Sequence, residues 1–64
     1  MRINQIKLAM MLVKRNWNYA DLVRESNVSK ATISSIKNGK SCSIKTAAAI
    51  ANALGVEVTD LLED

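Results

Sequence analysis

The 64 residues of this chain are enough for one small domain, and we expect residues 1–64 to form it without a linker. The composition is 48% hydrophobic and 23% charged, which is typical of a globular protein, and the net charge of +3 favours an anionic partner. The chain has no His and a single Cys, Cys42, which excludes a Ser-His-Asp triad, an imidazole metal site and an internal disulfide. No nucleotide-binding loop or catalytic constellation is present, so we expect no enzyme activity, no cofactor, no metal and no small-molecule substrate.

The longest apolar run, residues 8–13, is far shorter than the ~18 residues that a membrane span requires. A lone Cys also fits a reducing compartment. The sequence therefore predicts a cytoplasmic protein that does not bind membranes. Helix-forming residues dominate, and the chain contains no Pro and two Gly, so the predicted class is all-α.

The first predicted helix runs from Ile3 to Arg15 and is apolar on two sides. One stripe, at i, i+3 and i+4 spacing, contains Leu8, Met11 and Leu12. A second stripe lies on roughly the opposite side and contains Ile3, Ile6, Met10 and Val13. Either the C-terminal segment covers this second stripe, or the stripe is exposed and marks an interface.

Two short helices joined by a tight turn are predicted next, over residues 18–27 and 30–37. Asp21 stands at the third position of the earlier helix, where an acidic residue supports the N-terminus. The residues expected to cap or end the two helices are Asn18, Asn27, Ser29 and Asn38. Trp17, just before them, is expected to fill the core between the first two helices rather than to stack on a base.

A fourth helix is predicted to begin after Ser43 and to run from Ile44 to Ala53 or Leu54, with Gly55 ending it. The residues expected to line its buried face are Ile44, Ala47, Ala48, Ile50, Ala51 and Leu54. Thr59 is expected to cap a last short turn, Asp60 to Glu63.

The helices over residues 18–39 have the arrangement of a helix-turn-helix unit, whose second helix fits the DNA major groove, about 12 Å wide. That use requires small or polar side chains on the outer face at the start of the helix. Ile33 and Ile36 point inward by their spacing, which leaves small and basic residues outside. Residues 26–56 contain no acidic residue, although they contain the lysines Lys30, Lys37, Lys40 and Lys45.

Several short motifs follow one another along residues 8–62. They are Leu22-Val23, Val28-Ser29, Thr32-Ile33-Ser34, Ile36, Asn38-Gly39-Lys40, Ser43-Ile44, residues 50–56 and Asp60-Leu61-Leu62. In this order and spacing the chain resembles the Cro/CI-type helix-turn-helix domains, also called the Xre family of bacterial and phage repressors. The resemblance implies a compact five-helix bundle, the lambda repressor-like DNA-binding domain. It also implies a sequence-specific transcriptional regulator. This regulator would be a homodimeric repressor that inserts its third helix, about residues 30–37, in the major groove of a palindromic operator.

The resemblance also implies roles for individual residues. The residues expected to contact DNA bases are Lys30, Ala31, Thr32, Ser34 and Ser35. The residues expected to contact DNA phosphates are Asn18, Tyr19, Lys37, Asn38, Lys40 and Ser41. The residues preferred for the dimer interface are Ile44, Val56, Val58, Leu61 and Leu62, with the second stripe of the first helix as the alternative.

The chain departs from the common family pattern at several of these positions. Tyr19 stands where Gln is common, and Val23 and Ser26 stand where Ala and a large apolar residue are common. Leu12 and Lys37 replace an Arg–Glu pair, and because both partners are absent, no buried charge is left unpaired and Lys37 can face a phosphate.

Other interpretations remain open at this point. Lys30, Ser34 and Ser35 also suit a solvated helix face, and cations such as Arg15 also suit a purely solubilising role. A protein-interaction module, antitoxin-like or a regulatory partner, is the alternative function, and the second stripe favours it. Residues 1–54 carry a net charge of +7 and residues 55–64 carry −4, which predicts that the C-terminal end faces away from DNA.

Overall fold

The computed structural model describes residues 1–63, which form four α-helices and one short 3₁₀ turn. The elements are α1 (Gln5–Arg15), α2 (Tyr19–Ser26), α3 (Lys30–Lys37), α4 (Ile44–Leu54) and the 3₁₀ turn Val58–Asp60. The all-α class is confirmed, whereas the expected fifth helix is this 3₁₀ turn. No helix within the described residues is both long enough and apolar enough to span a bilayer.

A polar side chain caps the start of every α-helix and accepts a hydrogen bond from a backbone N–H in the first turn. The caps are Asn4, Asn18, Ser29 and Ser43. Three of the helices end in a left-handed residue, which is Asn16 after α1, Asn27 after α2 and Gly55 after α4. The predicted bounds of α3, and the predicted caps of α2 and α4, are confirmed.

The start of α1 differs from the prediction because Ile3 belongs to an extended segment. Ile3 forms an isolated antiparallel bridge with Leu62. The Asn4 N–H donates to the Leu61 carbonyl at 2.7 Å, and the Glu63 N–H donates to the Arg2 carbonyl at 3.2 Å. These long-range backbone bonds hold Ile3 out of the helix, and Asn4 caps α1 instead.

The same bonds explain why the turn predicted over residues 60–63 lies earlier in the chain, at Val58–Asp60. Leu61 and the two residues after it are held against the N-terminal segment, so their backbone cannot continue a helix. The 3₁₀ turn therefore ends at Asp60, whose carboxylate accepts from the Glu57 N–H at 3.0 Å. Thr59 lies inside the turn rather than at its cap.

The core receives side chains from every α-helix and from both terminal segments. Its buried apolar members are Ile3, Leu8, Leu12, Leu22, Ile33, Ile36, Ala47, Ile50, Ala51, Leu54 and Leu61. Half-buried Trp17 packs against this cluster, as predicted, and so does Cys42. Ile44, which was expected to line the core, is 67% exposed, because it occupies the first turn of α4, before the helix reaches the core at Ala47.

Two polar residues complete the packing. Ser26, at the position where the family commonly has a large apolar residue, is buried with its hydroxyl donating to the Leu22 carbonyl at 2.6 Å. The Arg15 guanidinium donates to the Leu54 carbonyl and lies 5.4 Å from the centroid of the Trp17 ring. Arg15 therefore connects the ends of α1 and α4, a role beyond solubility.

Candidate nucleic-acid interface

The outer face of α3 carries the residues expected to contact bases. Ile33 and Ile36 are buried on the inner face, so the rest of the helix is presented outward. Lys30, Ala31 and Ser34 are exposed, and Thr32 and Ser35 are half-buried. The Thr32 hydroxyl accepts from the Ser29 hydroxyl at 2.8 Å, so it already takes part in capping α3.

The start of α2 and the end of α3 meet through one side-chain contact. The Lys37 ammonium nitrogen lies 4.7 Å from the centroid of the Tyr19 ring, a distance that favours a cation–π interaction. The two residues that replace the common family pattern at these positions are therefore in contact. They place a positive charge between two groups of expected phosphate-contacting residues.

The first turn of α2 is held by a reciprocal pair of hydrogen bonds. The Asp21 N–H donates to the Asn18 side-chain oxygen, and the Asn18 N–H donates to the Asp21 carboxylate, both at 2.9 Å. The Asn18 backbone N–H, and then the Arg24 guanidinium 2.9 Å away, hold the pKa of Asp21 below its ordinary value. Asp21 in turn raises the pKa of Arg24. Arg24 thus balances the negative charge of Asp21 beside Asn18, one of the residues expected to contact a phosphate.

The loop after α3 is closed by backbone bonds that leave its side chains exposed. The Lys40 N–H donates to the Ser35 carbonyl at 3.0 Å, and Gly39 has a φ of +86°, a conformation that favours glycine. Asn38, Lys40 and Ser41 are exposed. This geometry presents the three side chains beside the C-terminal end of α3.

A groove of about 320 Å³ lies between α2 and α3. Lys30 and Lys37 both line it, together with Tyr19 and Ser34. The two lysines come from opposite ends of α3, so the positive charge extends along the helix. A surface of this charge and shape suits a polyanion.

Gln5 is a residue that the sequence interpretation missed. Its side-chain amide donates to the carbonyls of Ile3 and Ile36, and so connects α1 to the C-terminal end of α3. An uncharged polar residue in the first turn of α1 was the available signal, but its distant partner Ile36 has no sequence signature.

One residue of the second stripe is covered by the C-terminal segment, and the other three are exposed. Ile3 is covered by the C-terminal segment through its bridge to Leu62. Ile6, Met10 and Val13 are 72%, 57% and 78% exposed and border an open groove of about 640 Å³. The exposed part of the stripe is an apolar surface at helical spacing.

The residues preferred for a dimer interface differ in their exposure. Ile44 is exposed, and Val56, Val58 and Leu62 are half-buried. Leu61 is completely buried in the core, so the surface that another chain can reach does not include it. This is a correction to the expected interface, and it arises because Leu61 packs under the terminal bridge.

A family model described as the Cro/C1-type HTH DNA-binding domain matches residues 7–64. No curated protein and no solved structure matches the chain.

Proposed function

Since this chain belongs to the Cro/C1-type helix-turn-helix DNA-binding domain family, we propose that it is a sequence-specific transcriptional regulator. In this proposal it is a homodimeric repressor that inserts α3 in the major groove of a palindromic operator, with residues 1–64 acting as one cytoplasmic, non-enzymatic domain. The observation that supports it is the exposed outer face of α3, flanked by the Lys37–Tyr19 contact.

Base recognition is assigned to the outer face of α3. The exposed Lys30 ammonium can donate to guanine O6 and N7, and the Ala31 methyl can contact a thymine methyl. The Ser34 and Ser35 hydroxyls can donate or accept. Thr32 is assigned a contact through its methyl group or through its hydroxyl, which accepts from Ser29 and keeps its own O–H free to donate.

Phosphate binding is assigned to the two ends of the helix-turn-helix unit. Its members are Asn18, Tyr19, Lys37, Asn38, Lys40 and Ser41. The Tyr19 ring restrains the Lys37 side chain, which lowers the entropy that this lysine loses when it binds a phosphate. These contacts set affinity and orientation, whereas the outer face of α3 sets sequence preference.

Dimerisation is assigned to the C-terminal part of the chain. Ile44, Val56, Val58 and Leu62 provide accessible apolar area there. Two recognition helices would then enter successive major grooves about 34 Å apart on one face of the DNA. The acidic residues Glu57, Asp60 and Glu63 belong to the same part of the chain, so this end is assigned to the side away from DNA. Asp64 lies outside the described residues.

In vitro selection of bound DNA from a random duplex library tests the proposal. We expect a palindromic consensus with half-sites one helical turn apart. A Lys30/Ser34/Ser35 triple alanine variant should lose that consensus, since each good base contact contributes about 1–3 kcal/mol of discrimination. A triple variant that selects the same consensus with the same affinity would refute the assignment of α3.

The exposed apolar side chains of α1 favour a second candidate function, a protein-interaction module that retains the fold without reading an operator. A gel-shift titration with random duplex DNA at decreasing salt, run beside a measurement of molecular mass, separates the two functions. Absence of DNA binding even at low salt would favour the interaction module.

A further inference from the structure

The exposed part of the α1 stripe forms the floor of an open groove. The floor consists of Ile6, Ala9, Met10 and Val13, and the groove has a volume of about 640 Å³. From Ile6 to Val13 the helix advances by about 10 Å, two turns of an α-helix. An open apolar surface of this length, with α1 as its floor and Tyr19 of α2 and Lys37 of α3 beside it, can pack against the apolar face of another helix.

The charges around the groove indicate what kind of helix it can accept. Lys14 and Lys37 lie at its rim, and residues 1–20 contain no acidic side chain. A second copy docked through the same groove would bring lysines near lysines in an apolar setting, which is unfavourable. Acidic side chains flanking an apolar stripe would instead meet a lysine on each side.

We propose that this groove binds an acidic amphipathic helix from another protein, with its apolar residues on Ile6, Met10 and Val13 and its carboxylates beside Lys14 and Lys37. The partner is a different chain because self-association opposes like charges. It is helical because the floor repeats at i, i+4 and i+7, the spacing at which a second helix packs.

Binding of this helix excludes DNA, a consequence that rests on the proposed function. Lys37 and Tyr19 line this groove and also the groove between α2 and α3, and both are assigned to phosphate contacts. A partner carboxylate at Lys37 occupies the charge that a phosphate needs. The two ligands therefore reduce each other's affinity by the same factor. The partner acts as an anionic competitor that releases the regulator from its operator.

The test uses the full chain and a fluorescently labelled synthetic peptide of about 15 residues, which forms about four helical turns and so covers the two turns of the groove floor. Leu occupies the i, i+3, i+4 and i+7 positions of the peptide, and Glu and Ala fill the rest. A second peptide keeps the Leu pattern and carries Lys in place of Glu. Fluorescence anisotropy should show binding of the Glu peptide and much weaker binding of the Lys peptide.

Matched variants locate the site. The exposed pair Ile6→Ser and Val13→Ser, combined in one chain, should weaken the Glu peptide about tenfold or more through loss of buried apolar area. Lys14→Gln should weaken it about twofold to fivefold, and Lys45→Gln on α4 should leave it unchanged. Thermal unfolding of each variant checks that the fold is retained. Equal binding of the two peptides, or no effect of the double serine variant, would overturn the proposal.

Two further arms separate the remaining outcomes. Vesicles of phosphatidylglycerol that bind the groove when the Glu peptide does not would identify an anionic lipid surface as the occupant and refute the proposal. Duplex DNA added at low salt should displace the peptide. If the wild-type chain binds both ligands at once without loss of affinity, the competition is refuted. If the chain binds the peptide but no DNA, the proposed function fails while the groove assignment stands.

Discussion

Ser26 shows how a polar residue replaces a large apolar one without leaving a defect. Its hydroxyl donates to the Leu22 carbonyl and accepts from the Val28 N–H at 3.3 Å, so the turn between α2 and α3 gains two hydrogen bonds in a small buried space. The helix-turn-helix geometry therefore tolerates this departure from the family pattern.

Ser26→Ala should lower the free energy of unfolding by about 1 kcal/mol, because the Val28 N–H loses its acceptor. Ser26→Leu, which restores a large apolar side chain, should cost about 1–3 kcal/mol through overpacking. Urea unfolding followed by Trp17 fluorescence measures both. The exposed Ser34→Ala is the control and should change stability by less than about 0.5 kcal/mol. A Ser26→Leu variant more stable than the wild type would contradict this account of the packing.

Asp21 gives the stability a defined response to acid. The Asn18 N–H and the Arg24 guanidinium favour the carboxylate, so the pKa of Asp21 in the folded protein lies below its ordinary value of 3.8. A group whose pKa is lower when folded stabilises the protein above its unfolded pKa and loses that contribution as pH falls through its folded pKa.

Asp21→Asn should therefore have a lower free energy of unfolding than the wild type at pH 6. As the pH falls below about 4, the free energy of unfolding of the variant should decrease less than that of the wild type. Urea midpoints measured between pH 6 and pH 2 test this expectation. Glu63→Gln, which removes the same charge far from Asp21 in the sequence, is the control. Parallel curves for Asp21→Asn and the wild type would show that Asp21 is not responsible.

At the scale of elements, helix ends were predictable wherever a local cap sets them. Ser29 and Asn38 bracket α3 at the predicted residues, and Asn27 ends α2. The start of α1 and the form of the last turn were not predictable. Both depend on backbone bonds between Arg2–Asn4 and Leu61–Glu63, segments that lie at opposite ends of the sequence.

The candidate site was predictable to the same extent and for the same reason. Periodicity placed Lys30 and Ser34 on the outer face of α3, and both are exposed there. The contact of Lys37 with Tyr19, and the hydrogen bond from Gln5 to α3, join residues far apart in sequence. Their geometry follows from how the helices pack, which a single sequence does not encode in any local pattern.

The end of α4 combines a left-handed glycine with a close side chain. Gly55 has a φ of +68°, and a Cβ atom added there would lie 3.1 Å from the Arg15 Nη2 atom. Gly39, after α3, has a φ of +86°, and an added Cβ would have no neighbour within 4 Å. An L-residue would therefore have an unfavourable left-handed backbone at either position. Only at position 55 would its Cβ atom also lie close to another side chain.

Gly39→Ala should cost about 1–2 kcal/mol, the price of left-handed backbone at a residue with a side chain. Gly55→Ala should cost more, because the Arg15 guanidinium that bonds the Leu54 carbonyl must move. In an Arg15→Ala background the difference between the two glycine variants should disappear. Urea unfolding of the four variants measures the cycle, and a difference that persists without Arg15 would assign it to another cause.

At the scale of the whole molecule, charge is separated along the chain. Residues 1–54 carry all nine basic residues and two of the six acidic ones, whereas residues 55–64 carry the other four acidic residues. The net charge of +3 therefore understates the positive electrostatic potential around the helix-turn-helix unit. Long-range attraction of a polyanion depends on this local charge and is screened by salt.

Lys40→Gln should reduce the slope of log affinity against log salt concentration by about 1.8, the value for two lost phosphate contacts, one from each subunit of the proposed homodimer, and equally for operator and random DNA. Lys45→Gln, in the first turn of α4, is the matched control and should keep the wild-type slope. Fluorescence anisotropy with labelled duplexes over a salt series measures both. A slope that Lys40→Gln leaves unchanged would remove this residue from the phosphate contacts.

The bridge between Ile3 and Leu62 joins residues near the two ends of the chain, and this has a consequence for folding kinetics. Closing so long a loop costs more entropy than forming the local helix contacts, so the bridge should form after the rate-limiting step. Ile3→Val, expected to cost about 1 kcal/mol, should then speed unfolding about fivefold and leave the folding rate unchanged in stopped-flow measurements. If folding instead slows about fivefold and the unfolding rate is unchanged, the bridge is already formed in the transition state. With a late bridge, the lifetime of the folded domain depends on a contact outside the helix-turn-helix unit, between segments far apart in the sequence.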